Sequence, residues 1–119
     1  MVNHKLVLPG HLNHYGFLFG GNLLQWADEF AWIATTLDYP ECNFVTIGMD
    51  KVRFLKSVTE GTILEVVVEK IKEGNTTVRY QVNVFRLHTE IDSDLIFSTE
   101  ITFIRIDEDG NKMKLPPEQ

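Results

Sequence analysis

The most regular hydrophobic pattern in the chain is "TVRYQVNVFRLH", which sets Val78, Tyr80, Val82 and Val84 against Arg79, Gln81 and Asn83. A period of two with β-branched and aromatic residues predicts a strand buried on one face. Upstream, "ILEVVVEKIKEG" alternates Ile63, Glu65, Val67, Glu69 and Ile71 with Leu64, Val66, Val68, Lys70 and Lys72. That predicts a strand turning at "EGNT", with Gly74-Asn75 suited to positive φ. "FVTIGMDKVRFLK" (Phe44–Lys56) carries Val45, Ile47 and Met49, then Val52 and Phe54. Its parity changes around Asp50-Lys51, which predicts a bulge or bend. "LIFSTEITFIRID" reads as a last strand, and "HKLVL" as a short first strand ended by the turn signal Pro9-Gly10.

Between the first two strands the period changes. From about Gly20 to Leu37, "GGNLLQWADEFAWIATTL" reads as a helix so apolar that most of its circumference is expected to be buried. Pro40 in "DYPE" forbids its continuation. One long helix followed by successive antiparallel strands predicts an α+β fold, a curved sheet wrapped around a central helix. A single domain over residues 1–119 is expected, with 108–119 a polar tail. Two adjacent acids, Asp28 and Glu29, stand in the middle of that apolar helix.

Composition narrows the classes. At 119 residues, 44% hydrophobic and 24% charged, the chain has the make-up of a globular domain. It has no apolar run of the ~20 residues that cross a bilayer, and "MVNHKLVLPG" is too short and polar for a secretory signal. Its one cysteine, Cys42, excludes an intramolecular disulfide. A net charge of -6 argues against nucleic-acid partners. The expectation is a soluble cytoplasmic protein with neither nucleic acid nor membrane as partner.

Four segments, "NHYGFLFGG", "LLQWAD", "VTIGMDKVRFLKSVTEGTILEV" and "EGNTTV", in this order, resemble the hot-dog-fold acyl-CoA thioesterases of the acyl-CoA hydrolase branch. The last strand matches only by type. The motif residues are Asn13, Gly16, Phe19-Gly20-Gly21 and Asp28. The resemblance implies a hot-dog fold, a homodimer as minimal unit that assembles further into a tetramer or hexamer, and hydrolysis of acyl-CoA in lipid metabolism. No cofactor is implied, since CoA belongs to the substrate.

The residues can be given roles in that chemistry. A thioester oxygen gaining negative charge can be held by the free N–H groups at a helix N-terminus. Gly20 and Gly21 stand there and let a substrate approach the backbone closely; a tight start to the helix is the plainer use of the pair. Asp28, among Leu24, Trp26, Ala31 and Trp32, is expected to be poorly solvated and therefore more basic. It can act as general base or as nucleophile. Glu29 points about 100° away around the helix. Eight residues from Gly20 to Asp28 span roughly 12 Å, too far for one thioester within a subunit. The resemblance therefore implies a dimer-interface site, with glycines from one chain and Asp28 from the other. Asn13 either orients water or carbonyl, or caps its own loop. Thr46 either holds the water or is an ordinary β-branched strand residue. For CoA, Phe19, Phe54, Lys56, Thr76 and Thr77 are the candidates, with Arg53 and Lys72 as further cations. Ser57 replaces the proline usual in the family. Trp26, Phe30 and Ile33 are expected to bear on acyl-chain length.

Two other readings stay open. A loop histidine such as His14 would suit a 3-hydroxyacyl thioester dehydratase, although "HLNHYGFLFGG" lacks prolines around it. An acyl-CoA sensor would keep the glycines and need no Asp28. His4 and His88 read as surface histidines, His11 and His14 lack the further ligands of a zinc site, and Cys42 reads as structural.

Overall fold

The computed structural model describes residues 1–87 and 94–117, so the reading of His88 falls outside the described residues. Five strands and one long helix follow in the order β1 (Val2–Leu6), α1 (Gly20–Asp38), β2 (Asn43–Phe54), β3 (Ile63–Glu73), β4 (Thr77–Arg86) and β5 (Asp94–Ile106). The strands form one sheet ordered β1-β3-β4-β5-β2, antiparallel at every step. The helix lies against one face of it.

The two-residue period of β4 did set its orientation: Val78, Tyr80, Val82 and Val84 all face the core. Their neighbours on β5 are Phe103, Ile101, Thr99 and Phe97, also buried. On β3, Leu64, Val66 and Val68 continue the layer. The helix meets it with Leu23, Ala27, Ala31 and Ala34; the small alanine side chains let the helix axis come close to the sheet.

Three expectations are corrected by the structure, and the tail shows a contact the pattern did not predict. The first strand lies at Val2–Leu6, two residues before "HKLVL", because the Leu8 N–H leaves the ladder and donates to His11 Nδ1 at 3.0 Å. Gly74 and Asn75 turn without positive φ. Glycine is needed there because a Cβ would stand 2.7 Å from Thr77 Oγ1. The helix is not buried around most of its circumference: Trp32 is 45% exposed and Leu37 68%. A single sheet covers one side of a helix only, here the stripe Leu23, Trp26, Ala27, Ala31, Ala34 and Thr35. The polar tail is docked, with Met113 N–H donating to Arg105 O and Leu115 N–H to Asn75 O.

The bulge on β2 falls at the expected place. Its register slips between Asp50 and Arg53, and Lys51 takes a φ of 51°. Lys51 Nζ stands 3.0 Å from Glu100, and Thr99 Oγ1 donates to Asp50 O at 2.9 Å, which holds the bulge to β5. A second slip lies between Thr46 and Gly48. β2 is an edge strand with Val45, Ile47, Val52 and Phe54 exposed. Among the described residues no helix is long and apolar enough to cross a membrane.

Candidate active site at the helix start and flank

The loop before the helix is shaped by Asn13. Its Oδ1 accepts the Tyr15 and Phe17 N–H groups at 2.9 and 3.2 Å, while Gly16, at φ 85°, donates to Asn13 O. This is the loop-capping role; the side-chain oxygen is occupied, and Nδ2 makes no hydrogen bond among the described residues. His11 O then fixes the helix start, accepting from Phe19 N–H and from Asn22 Nδ2, both at 2.9 Å.

Phe19 is the N-cap and offers no side-chain acceptor. The Gly20 and Gly21 N–H groups have no intrahelical partner, and none elsewhere among the described residues. Both glycines are hemmed by rings. A Cβ on Gly20 would lie 3.1 Å from Phe54 Cε1, and one on Gly21 3.2 Å from the Phe19 ring. A cleft of about 380 Å³ opens beside them, lined by Leu18, Gly20, Leu23, Phe54, Lys56 and Ser57 among others. Lys56 Nζ stands 3.5 Å from Asp94, which Arg86 also engages at 2.6 Å.

Two turns along the helix, Asp28 is half-buried and Glu29 exposed. Thr46, on β2, donates its hydroxyl to Asp28 Oδ1 at 2.6 Å. The carboxylate is thus anchored through one oxygen, and Oδ2 accepts no hydrogen bond among the described residues.

Asp28 and Thr46 therefore come together, as do Gly20, Gly21, Phe19, Phe54 and Lys56. The two groups stay apart in one chain, roughly 12 Å along the helix. Thr76 and Thr77 belong to the acid's end: Thr77 pairs with Ile104, next to Phe103 opposite Thr46, whereas Phe54 pairs with Phe97. Seven residues of β5 amount to about 23 Å, so the two regions stand at opposite ends of the strand. The turn is also partly covered, since Asn75 O and Thr76 O accept from Leu115 and Arg105. Arg53 lies exposed on the edge strand opposite Ser98, and Lys72 stands at the far end of β3.

The described histidines each contact a neighbour. His11 and Trp26 meet in a T-shaped pair at 4.8 Å, His14 lies against the exposed Tyr15 ring at 4.0 Å, and His4 is 3.6 Å from Glu65. Cys42 Sγ approaches Pro40 O at 3.6 Å. Trp26, Phe30 and Ile33 lie roughly 140–160° around the helix from Asp28, away from the acid. The large residue beside it is Trp32, whose indole N–H donates to Phe44 O at 3.3 Å. Its i+4 spacing from Asp28 was a signal available in the sequence.

At the opposite end of the helix Tyr39 bonds Glu73 and receives a hydrogen bond from Lys70. Burial, then the Glu73 bond, pushes the Tyr39 hydroxyl up to about 12. Tyr80, donating to Asp38 Oδ2 at 2.7 Å, is also pushed up, first by burial.

The sequence profile of the thioesterase superfamily matches residues 15–91. The chain belongs to the thioesterase superfamily. Its fold is the hot-dog fold, a five-stranded antiparallel sheet with one helix. Among relatives of this superfamily member, mouse acyl-coenzyme A thioesterase 11 is 31% identical over 113 residues, 94% of this chain. The chain spans only 19% of that protein's length. The acyl-CoA hydrolase from Staphylococcus aureus, solved with butyryl coenzyme A, coenzyme A and coenzyme A disulfide, superposes with a TM-score of 0.90 at 28% identity. The superposition covers 100% of this chain and 74% of that one. Other structures of that hydrolase carry alanine in place of an aspartate, an asparagine or a threonine. A hexameric hotdog fold thioesterase of Campylobacter jejuni matches with a TM-score of 0.82 and 28% identity over 96% of this chain and 88% of that one.

Proposed function

We propose that the protein hydrolyses acyl-CoA thioesters to the free acid and CoA, at a site completed by two copies of the chain. The observation that carries this reading is the distance between its halves. A half-buried carboxylate pinned by Thr46 lies roughly 12 Å along one helix from the open amides of Gly20 and Gly21. A single carbonyl cannot touch both in one protomer. In a two-fold dimer, Gly20 and Gly21 of one chain hold the carbonyl oxygen while Asp28 of the other acts.

Asp28 Oδ2 takes the proton of a water that adds to the carbonyl carbon, or itself attacks that carbon to give a mixed anhydride that water then hydrolyses. The oxyanion is held by the glycine N–H groups until the C–S bond breaks and CoA leaves as thiolate. Thr46 keeps the carboxylate aimed, and Asn13 Nδ2 is the donor its loop offers to water or carbonyl. CoA runs out over Phe19 and Phe54 towards Lys56, while Thr76 and Thr77 of the acid-bearing chain come within reach of its distal end. No resident cofactor takes part. The names of the relatives, and the butyryl-CoA bound by the Staphylococcus hydrolase, support this substrate class. So do the three residue types altered in that hydrolase, which occur here in the same chain order as Asn13, Asp28 and Thr46. Hexameric assembly in a relative supports a dimer that associates further.

Thiol release from a panel of acyl-CoAs, read with DTNB, tests the reading. Asp28→Asn should lower turnover at least about 100-fold while CoA still binds by calorimetry. Unchanged turnover in that variant removes the proposal, and wild-type protein that binds acyl-CoA without releasing thiol is the sensor.

A further inference from the structure

We propose that Lys51 and Glu100 are positioning residues for the cleft beside Gly20: their ion pair holds the β2 bulge that turns Phe54 onto the helix. This rests on the thioesterase reading above, which runs CoA over Phe54. The ladder between β2 and β5 passes from Asp50–Glu100 to Arg53–Ser98 and Phe54–Phe97, so three steps on β2 match two on β5. Thr99, Ile101 and Phe97 are fully buried on the helix side of the sheet, and Glu100 alternates to the opposite face. Asp50 therefore faces outward with Glu100, and Phe54 inward with Phe97.

In a regular strand Asp50 and Phe54, four residues apart, would share one face. The extra residue at the bulge puts them on opposite faces. Its effect is to lay the Phe54 ring 5.1 Å from that of Phe97 and against Gly20, where a Cβ would stand 3.1 Å from Phe54 Cε1. That ring is a wall of the cleft shared with Leu23, Lys56 and Ser57. The bulge is a strained arrangement. It lies on an edge strand that only β5 supports, and it sets Lys51 at φ 51°, which side chains other than glycine's enter reluctantly. Two contacts offset the strain. Thr99 Oγ1 donates to Asp50 O at 2.9 Å, and Lys51 Nζ reaches Glu100 Oε2 at 3.0 Å. Glu100 is only 8% exposed, and Arg79 approaches its other oxygen no nearer than 3.9 Å. A carboxylate so far out of water needs a close cation, and Lys51 supplies it from the bulged backbone.

Lys51→Ala and Lys51→Gly separate the parts. Both remove the ion pair, and the lysine side chain is 75% exposed, so neither opens the core. Alanine keeps the strain at φ 51°, whereas glycine accepts that conformation. The readouts are CoA affinity by calorimetry and kcat and KM from thiol release. Lys51→Ala should raise the CoA Kd and the KM about tenfold, the worth of one apolar ring contact. Its kcat should stay within about twofold of wild type, because the Thr46 to Asp28 bond lies on the other side of the bulge. Lys51→Gly should remain near wild type. Glu100→Ala should weaken CoA as Lys51→Ala does and recover when Lys51→Gly is added. In a Phe54→Ala background Lys51→Ala should add little further loss. Equal losses in Lys51→Ala and Lys51→Gly overturn the proposal, by making the lysine itself the contact to CoA. An unchanged Kd in Lys51→Ala, or a full further loss beside Phe54→Ala, overturns it as well. Wild type that binds CoA yet releases no thiol removes hydrolysis alone, and the Kd comparisons still decide the role of the bulge.

Discussion

Thr46→Val isolates the contact on which the carboxylate's aim depends. Valine keeps the β-branched shape that suits β2 and removes only the hydroxyl that donates to Asp28 Oδ1 at 2.6 Å. A hydrogen bond to a charged group contributes about 1.5–3 kcal/mol. Thr46 is exposed, so water replaces part of what is lost and the lower end applies. At 1.36 kcal/mol per decade of rate, about 1.5 kcal/mol corresponds to roughly a tenfold fall. The fall should appear in kcat with KM nearly constant, because the bond aims the acid and does not hold CoA. The melting temperature should hardly move, since nothing buried is disturbed. Thiol release by Thr46→Val, Asp28→Asn and the double variant completes the measurement. If the hydroxyl works through the carboxylate, Thr46→Val costs its tenfold in wild type and almost nothing once Asp28 is gone. Equal losses in both backgrounds, or no loss in the single variant, would refute the reasoning.

Two further outcomes are expected. Mixing Gly20→Val with Asp28→Asn, each inactive alone, should restore about a quarter of wild-type activity: half the dimers are mixed, and each has one intact site of two. If one chain held a whole site, the mixture would stay dead. Folded Tyr39 keeps its proton to about pH 12, whereas an unfolded tyrosine releases it near 10. The stability linked to this group is complete below pH 10 and lost as pH rises to 12. Wild type should therefore lose thermal stability over that window more steeply than Tyr39→Phe, and Tyr80, shifted the same way, should leave a residual slope in the variant.

The parts of this fold legible in the sequence are those set by local rules. The alternation in β4 gave its buried face because a strand offers only two faces, and the parity change at Asp50-Lys51 gave the bulge because one extra residue must switch them. Pro40 and the glycine pair bounded the helix to within a residue. Gly74 was misread because glycine serves two needs. Its φ is ordinary, and what it supplies is room for the Thr77 hydroxyl, a contact no local pattern encodes. The helix was expected to be wrapped because apolar content says how much surface must be covered, not what covers it.

On the proposed dimer reading, the uncovered helix face and the split site have one geometric origin. On the edge strand β2, Thr46 marks the acid's end, through its bond to Asp28, and Phe54 marks the glycine end, through its ring against Gly20. An edge strand with exposed Val45, Ile47 and Val52 invites pairing with another copy. Two-fold symmetry makes that pairing antiparallel and self-complementary. If its centre falls at the bulge around Asp50, Thr46 of one chain stands opposite Phe54 of the other, because both are four residues from Asp50. The pairing that covers the exposed apolar residues is then the same one that carries Asp28 to the partner's open amides. An acid half-exposed on a lone chain, and a helix apolar on a side its own sheet never reaches, are what such an arrangement requires of each protomer.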